Sequence, residues 1–262
     1  MRIDPDPDGE RRRAILSRLN QHAPSAARER PKAKPRRRRR WRRWLVLPSV
    51  VFLALTVAPV ALFTTVTPPL TAFMARDWVI AQREGRTDYR LRHDWTPLRG
   101  IPAELRAAVI AAEDQKFRRH RGFDFDSIRS AMADYEDGER VRGASTITQQ
   151  VAKNLFLWPG QSWMRKGIEA WYTVLIETFW GKARILEVYL NVAQFGDGIY
   201  GVGAASEVFF HCRPGALNAE QAAMLAAVLP NPIRFRIDAP SDYVRERQHW
   251  ILGQMRHVGE GM

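Results

Sequence analysis

The chain has 262 residues, 45% of them hydrophobic, and a net charge of +13. That length allows one domain, or two, with a substantial core, and the composition argues against bulk disorder. The charge is local: residues 1–43 hold 16 Lys/Arg and 5 Asp/Glu, so +11 lies in the N-terminal arm and +2 in the rest. A near-neutral body argues against a general nucleic-acid binder, which needs basic charge on its folded part. The lone Cys212 excludes an intrachain disulfide and a Cys-based zinc site. The six scattered histidines form no His-Glu-x-x-His pattern and no close pair, so a His-held metal is not expected.

In chain order, residues 1–43 read as a disordered basic arm ending in the run Arg36 to Arg43 around Trp41. From Trp44 to Ala75 no residue is charged. About 20 apolar residues at roughly 1.5 Å rise span a hydrocarbon core of about 30 Å, so 44–66 is expected to be a transmembrane anchor. Pro48 and Pro59 are better tolerated in a membrane helix than in a soluble one. The preceding basic cluster places the N-terminus in the cytoplasm and everything after Phe73 outside. A cleaved signal peptide is the rival, but the arm is far longer than a usual n-region. Residues 67–90 are expected as an interfacial linker and 91–262 as the folded domain.

That domain reads as helix after helix, with strand alternation nearly absent, so the fold class is mainly α. Pro102 to His120 carries Leu105, Val109, Ala112 and Phe117 near helical period, with Pro102 suited to a first turn. Helices follow over Phe125–Tyr135, Ser145–Phe156, Trp163–Trp180 (punctuated by Gly181) and Arg184–Val192. Asn218, with Gln221 three residues on, opens a capped helix that Pro230 stops, and Ser241 to Val258 forms the last.

Four constellations carry polar chemistry. In Glu113-Asp114-x-x-Phe117-x-x-His120-x-Gly122-x-Asp124 two adjacent acids end an Ala-rich helix, where the macrodipole opposes them. In Gly143-Ala-Ser-Thr-Ile-Thr-Gln-Gln-x-x-Lys-Asn154, Ser145 and Thr146 expose donors at a helix start suited to an anion. Gln149, Gln150, Lys153 and Asn154 follow about one turn on, and a capped surface helix is the plain alternative. Ser145 is no nucleophile elbow, since Ile147 stands where a second Gly is required. Arg165-Lys166-x-x-Glu169 reads as an i,i+3 ion pair or as a cationic cradle beside a second carboxylate. Arg184-Ile-Leu-Glu187-x-Tyr189-Leu-Asn191 precedes Gly196-x-Gly198-x-x-Gly201, which follows a helical pattern and is therefore read as a tight turn, not a dinucleotide fingerprint.

Taken in this order and spacing, the set resembles the family-51 glycosyltransferases. These comprise the peptidoglycan-polymerising domain of class A penicillin-binding proteins and the monofunctional biosynthetic transglycosylases. The resemblance runs from about Leu91 to the C-terminus. Leu229-Pro-Asn-Pro-Ile-Arg-Phe235 and Tyr243-Val-Arg-x-Arg-Gln-x-Trp-Ile251 look like the monofunctional subgroup, and with no transpeptidase domain following, the single-domain enzyme is the better match.

The resemblance implies a lysozyme-like helical domain with a membrane-facing jaw, and lipid II as substrate, polymerised into β-1,4-linked glycan strands with release of undecaprenyl pyrophosphate. It assigns Glu113 as general base and Glu169 as the second carboxylate near the leaving group. Asp114, Ser145, Thr146, Gln149, Gln150, Lys153, Asn154, Arg165 and Lys166 are the substrate-binding residues it implies. An α-linked donor giving a β product means inversion by one displacement. No cofactor is required on this reading, although a divalent cation, Mg or Mn, at the pyrophosphate is compatible with it. The implied partners are lipid II, the growing lipid-linked strand, the membrane and cell-wall synthesis or division proteins, with no nucleic acid. The implied location is the bacterial inner membrane, with a periplasmic catalytic domain. One departure is Gln161, where many members carry an Arg; Arg142 is a candidate substitute. A lytic hydrolase and an inactive membrane scaffold are the rivals. A hydrolase has no use for a pyrophosphate cradle, and a scaffold has no use for Glu113 and Glu169.

Overall fold

The computed structural model describes residues 7–21, 38–136, 145–160 and 162–259. The chain divides into two units, residues 1–49 and 50–262. In the first, Pro7–Gln21 forms helix α1, where an arm without order was expected. Its run Glu10-Arg-Arg-Arg-Ala-Ile-Leu holds few helix breakers, so local propensity outweighs the charge. The longer helix α2, Arg38–Leu62, begins in this unit and ends in the second. Among the described residues no helix is long and apolar enough to cross a membrane. The expected 44–66 span is thus helical through Leu62. Beyond Ser49 it exposes Val50, Val51, Phe52, Leu53, Leu55 and Leu62.

In the second unit the end of α2 is tied down through the carbonyls a helix terminus leaves free. Trp180 Nε1 donates to Val60 O at 2.7 Å; Arg184 donates to Phe63 O at 3.0 Å and to Val66 O at 2.8 Å. The segment expected as a linker contains a packed helix, α3 (Ala72–Arg83), capped by Thr71, whose hydroxyl accepts from Met74 N. Its Asp77 accepts from Tyr200, and Met74 and Ala81 are buried.

Strand β1 (Arg92–His93) leads to α4 (Ala103–Glu113), which starts after Pro102 as expected but ends seven residues before His120. Asp114, at φ −160° and ψ 75°, leaves the helical region because its carboxylate turns to partners outside α4. Next come α5 (Phe125–Glu136), α6 (Ile147–Phe156), α7 (Trp163–Phe179, capped by Ser162) and α8 (Lys182–Val192). The glycine-rich stretch is more than a turn. It holds strands β2 (Gln194–Gly196) and β3 (Ile199–Tyr200) and opens α9 (Gly201–Phe210). The strands form one small sheet in the order β1-β3-β2, with β1 parallel and β2 antiparallel to β3. A Cβ on Gly203 would lie 2.3 Å from Asp94 O, so the absent side chain lets α9 approach the segment after β1. Asn191, fully buried, locks the same junction by bonding Thr96 N, Thr96 O and Glu187 O.

Helix α10 (Ala219–Val228) has the expected capping box between Asn218 and Gln221, and α11 (Asp242–Gly259) closes the chain. Two helix groups share one core: α4, α10 and α11 pack on one another, and α6 packs on both α7 and α8. Glu113 and Asp114 at the end of α4 meet Thr146, Ile147 and Gln150 of the α6 start, while Arg165, Lys166 and Glu169 pair on α7.

Candidate active site

The C-terminus of α4 and the N-terminus of α6 are stitched together by side chains. Asp114, 7% exposed, accepts from Ile147 N at 3.0 Å, satisfying a free N–H in the first turn of α6. His120 Nε2 lies 2.8 and 3.0 Å from its two oxygens. Thr146 caps α6: it accepts from Gln149 N at 3.2 Å and donates to Gly122 O at 2.7 Å, while Gln149 Oε1 accepts from Thr146 N at 3.0 Å. The turn at Gly122 has φ +84°, and a Cβ there would meet Thr173 Cγ2 at 2.6 Å. Thr146 and Gln149, both buried, form the capping box that opens α6, and Thr146 also lines a cleft beside Glu113.

This stitching presents Glu113 and Gln150 to one another. Gln150 Nε2 donates to Glu113 Oε2 at 2.8 Å, and Gln150 Oε1 accepts from the hydroxyl of Tyr189, a fully buried residue on α8, at 3.2 Å. Arg247 of α11 lies 3.5 Å from Glu113 Oε1. The Glu113 side chain is 11% exposed. Burial pushes its carboxyl above the usual range, aided by Asp114 and opposed by the Gln150 bond, Arg247 and Lys153. Asp114 is also pushed up by burial, against its bonds from His120 and Ile147. A cleft of about 800 Å³ opens over Glu113, lined also by Ser145, Gln150, Lys153, Tyr243, Arg247 and Trp250. A second of about 350 Å³ shares Glu113, Ser145 and Trp250 with it and adds Asp114, Asp124 and Thr146.

Lys153, one turn beyond Gln150, places Nζ 5.9 Å from the ring centre of Phe73 on α3. Burial lowers its ammonium's pKa; Glu169 and Glu113 oppose that shift, while Arg165 and Lys166 reinforce it. Lys153 thus stands in the field of both carboxylates. Glu169 is 3% exposed on α7 and paired through both oxygens: one takes Arg165 Nη1 at 3.1 Å, the other Lys166 Nζ. Arg165 Nε is buried without a partner among the described residues. Neither Arg165, Lys166 nor Glu169 lines the larger cleft, and Asn154, half-buried on α6, does not line it either. Gln161 and Arg142 lie outside the described residues.

The described residues include no group of three His, Cys, Asp or Glu able to hold a metal. At Glu169 both oxygens already face cations, so these residues do not fit a resident divalent ion there. Sequence reasoning assigned no site role to Tyr189, Arg247 or Trp250. The spacing of Tyr243, Arg247 and Trp250, at i, i+4 and i+7 of the last helix, is the signal that places them on one face.

A helical body with a buried carboxylate on the wall of a large cleft, and cations beyond it, has the parts needed for transfer at a sugar carbon with an anionic leaving group. Sequence comparison gives the family. The transglycosylase family model matches residues 80–256. The chain is 49% identical over 227 residues to a biosynthetic peptidoglycan transglycosylase of Xanthomonas axonopodis pv. citri (strain 306), covering 87% of this chain and 92% of that protein. It is 52% identical over 219 residues to one of Shigella boydii serotype 4 (strain Sb227), covering 83% and 90%. With one from Klebsiella oxytoca the identity is 56% over 201 residues, or 76% and 83%. The chain belongs to the transglycosylase family and is a glycosyltransferase.

Proposed function

We propose that this enzyme polymerises lipid II into β-1,4-linked peptidoglycan strands, releasing undecaprenyl pyrophosphate, with Glu113 as general base. One observation carries the reading: Glu113 is poorly solvated yet opens onto a cleft of about 800 Å³, with one oxygen bonded to Gln150 and the other free of any tight bond. Burial raises its proton affinity above that of a free carboxylate, which makes it a stronger base for the acceptor hydroxyl. In the reaction, Glu113 takes the proton of an acceptor sugar hydroxyl. The hydroxyl oxygen attacks the anomeric carbon of the donor, and the bond from that carbon to the pyrophosphate breaks. The departing oxygen needs positive charge more than a proton, and Lys153, backed by Arg165 and Lys166, supplies it. A single displacement inverts the anomeric centre, so no covalent sugar–enzyme intermediate forms.

Glu169 acts in this scheme by fixing Arg165 and Lys166, since both its oxygens are engaged by them. Ser145, exposed at the lip of both clefts, and Gln150 contact substrate. The lysozyme-like lobe with a membrane-facing jaw, the domain body from 91 to 262, and a periplasmic catalytic domain at the inner membrane belong to the same proposal. The anchor at 44–66 is supported by the uncharged run Trp44 to Ala75 and by the exposed apolar side chains of α2. Purified protein incubated with lipid II in detergent tests the function. Polymer and free undecaprenyl pyrophosphate are expected; cleavage of preformed glycan without synthesis would replace this reading with a lytic one.

A further inference from the structure

Helix α11 brings a cation to the base that the sequence left unassigned. Arg247 Nη2 lies 3.4 Å from Ala112 O and 3.5 Å from Glu113 Oε1, so one guanidinium nitrogen reaches both a carbonyl in the last turn of α4 and the carboxylate that ends it. Glu113 sits where the helix macrodipole is negative, an unfavourable place for an anion, and a cation at that end offsets the field. The other Glu113 oxygen is taken by Gln150 at 2.8 Å. The contact to Arg247 is too long for a tight hydrogen bond, which leaves Oε1 able to receive a proton. Arg247 Nε is buried with no partner among the described residues, so satisfying its own donors does not explain the placement.

We propose that Arg247 is a positioning residue for glycosyl transfer: it aims Glu113 Oε1 into the cleft and holds the carboxylate in its proton-accepting, ionised form. The inference rests on the reading of Glu113 as base. The charged and titratable groups around Glu113 support it. Asp114, on the same helix end, opposes ionisation; Lys153 from α6 favours it but is itself partly desolvated. Tyr189 from α8 is neutral, its hydroxyl held far from ionisation by burial. On α11, Glu246 adds a negative group to the cleft lining, and α10 presents only the apolar run Ala222 to Val228. Among the described residues, Arg247 is thus the only cation within 4 Å of the Glu113 carboxylate.

The test is the pH profile of kcat for polymerisation by full-length enzyme carrying Arg247→Gln or Arg247→Lys, beside Glu113→Gln. Arg247→Gln should move the acid limb to higher pH, about one unit, making the enzyme roughly tenfold slower on the acid side while converging on wild type at high pH. Arg247→Lys should return the limb toward its wild-type position. A uniform loss at every pH, with the limb unmoved, would mean Arg247 serves only packing or substrate contact and would overturn the proposal. If Arg247→Gln does not fold, Arg247→Lys decides: a limb near wild type supports the role, and an equal loss at all pH values contradicts it. The two readings fail separately. An active Glu113→Gln enzyme removes the base itself, and this inference with it. An inactive Glu113→Gln beside unshifted Arg247 variants removes only the role of Arg247.

Discussion

Gln150 and Glu113 face each other across the two helix groups, joined by a hydrogen bond of 2.8 Å whose donor is itself held by Tyr189. That bond is the strongest influence opposing the burial-driven rise in the proton affinity of Glu113. Gln150→Ala should therefore shift the acid limb of the rate profile upward and slow the reaction on its acid side by about tenfold. Steady-state rates from pH 5 to 9 check this. Tyr189→Phe should act in the same direction more weakly, since it frees the Gln150 side chain without removing it.

Asp114 is the clamp between α4 and α6. Asp114→Ala leaves Ile147 N–H and His120 without their acceptor, in a place where water has little access. The expected loss is about 1–3 kcal/mol of stability, with Asp114→Asn costing less because it keeps one acceptor oxygen. Urea unfolding of the three proteins measures it. Activity should fall with either change, because Gln150 and Lys153 ride on the helix that Asp114 holds.

Gly122→Ala combines a positive φ with a side chain placed 2.6 Å from Thr173 Cγ2 and 3.0 Å from Glu177 Cγ. The left-handed backbone alone costs roughly 1–2 kcal/mol, and the clash adds to it. Because Gly122 O also receives the Thr146 hydroxyl, the start of α6 should loosen. A drop of several degrees in melting temperature, with faster amide exchange at Ile147 to Gln150, is the expected result. Unchanged exchange there would show that α6 does not depend on this turn.

How far the sequence could be read depended on how local each signal was. The capping box at Asn218 and Gln221, and the polar partners of Arg165 and Lys166, involve residues three or four apart and were legible. The premature end of α4 was not, because apolar periodicity runs on to Phe117 while the cause is a carboxylate finding an N–H 33 residues away. Likewise α9 was left unassigned beyond the glycine stretch at 196–201, since small residues such as Gly203 pack by close approach to the segment after β1. The capping box between Thr146 and Gln149, again three residues apart, was equally local. Arg247 lies 134 residues from Glu113, beyond the reach of any spacing argument.

Glu113 should make the fold less stable as it ionises. Its folded-state pKa is raised above the unfolded value, so the folded protein holds that proton more tightly, and stability declines as pH rises through this range. Glu113→Gln removes the buried charge while keeping an acceptor for Gln150. At pH 7 the variant should melt above wild type, and the difference should vanish below the unfolded carboxyl range. Thermal melts at pH 4 and pH 7 compare the two.

The most direct test of the central claim is single-turnover polymerisation of lipid II by Glu113→Gln, measured with binding of a non-reactive pyrophosphate analogue. Loss of a general base typically costs on the order of 10²–10⁴ in rate. The account predicts a loss of that size with analogue affinity retained, since Lys153, Arg165 and Lys166 are untouched, whereas Lys153→Ala should weaken both rate and binding. A Glu113→Gln enzyme that polymerises at near wild-type rate would contradict it.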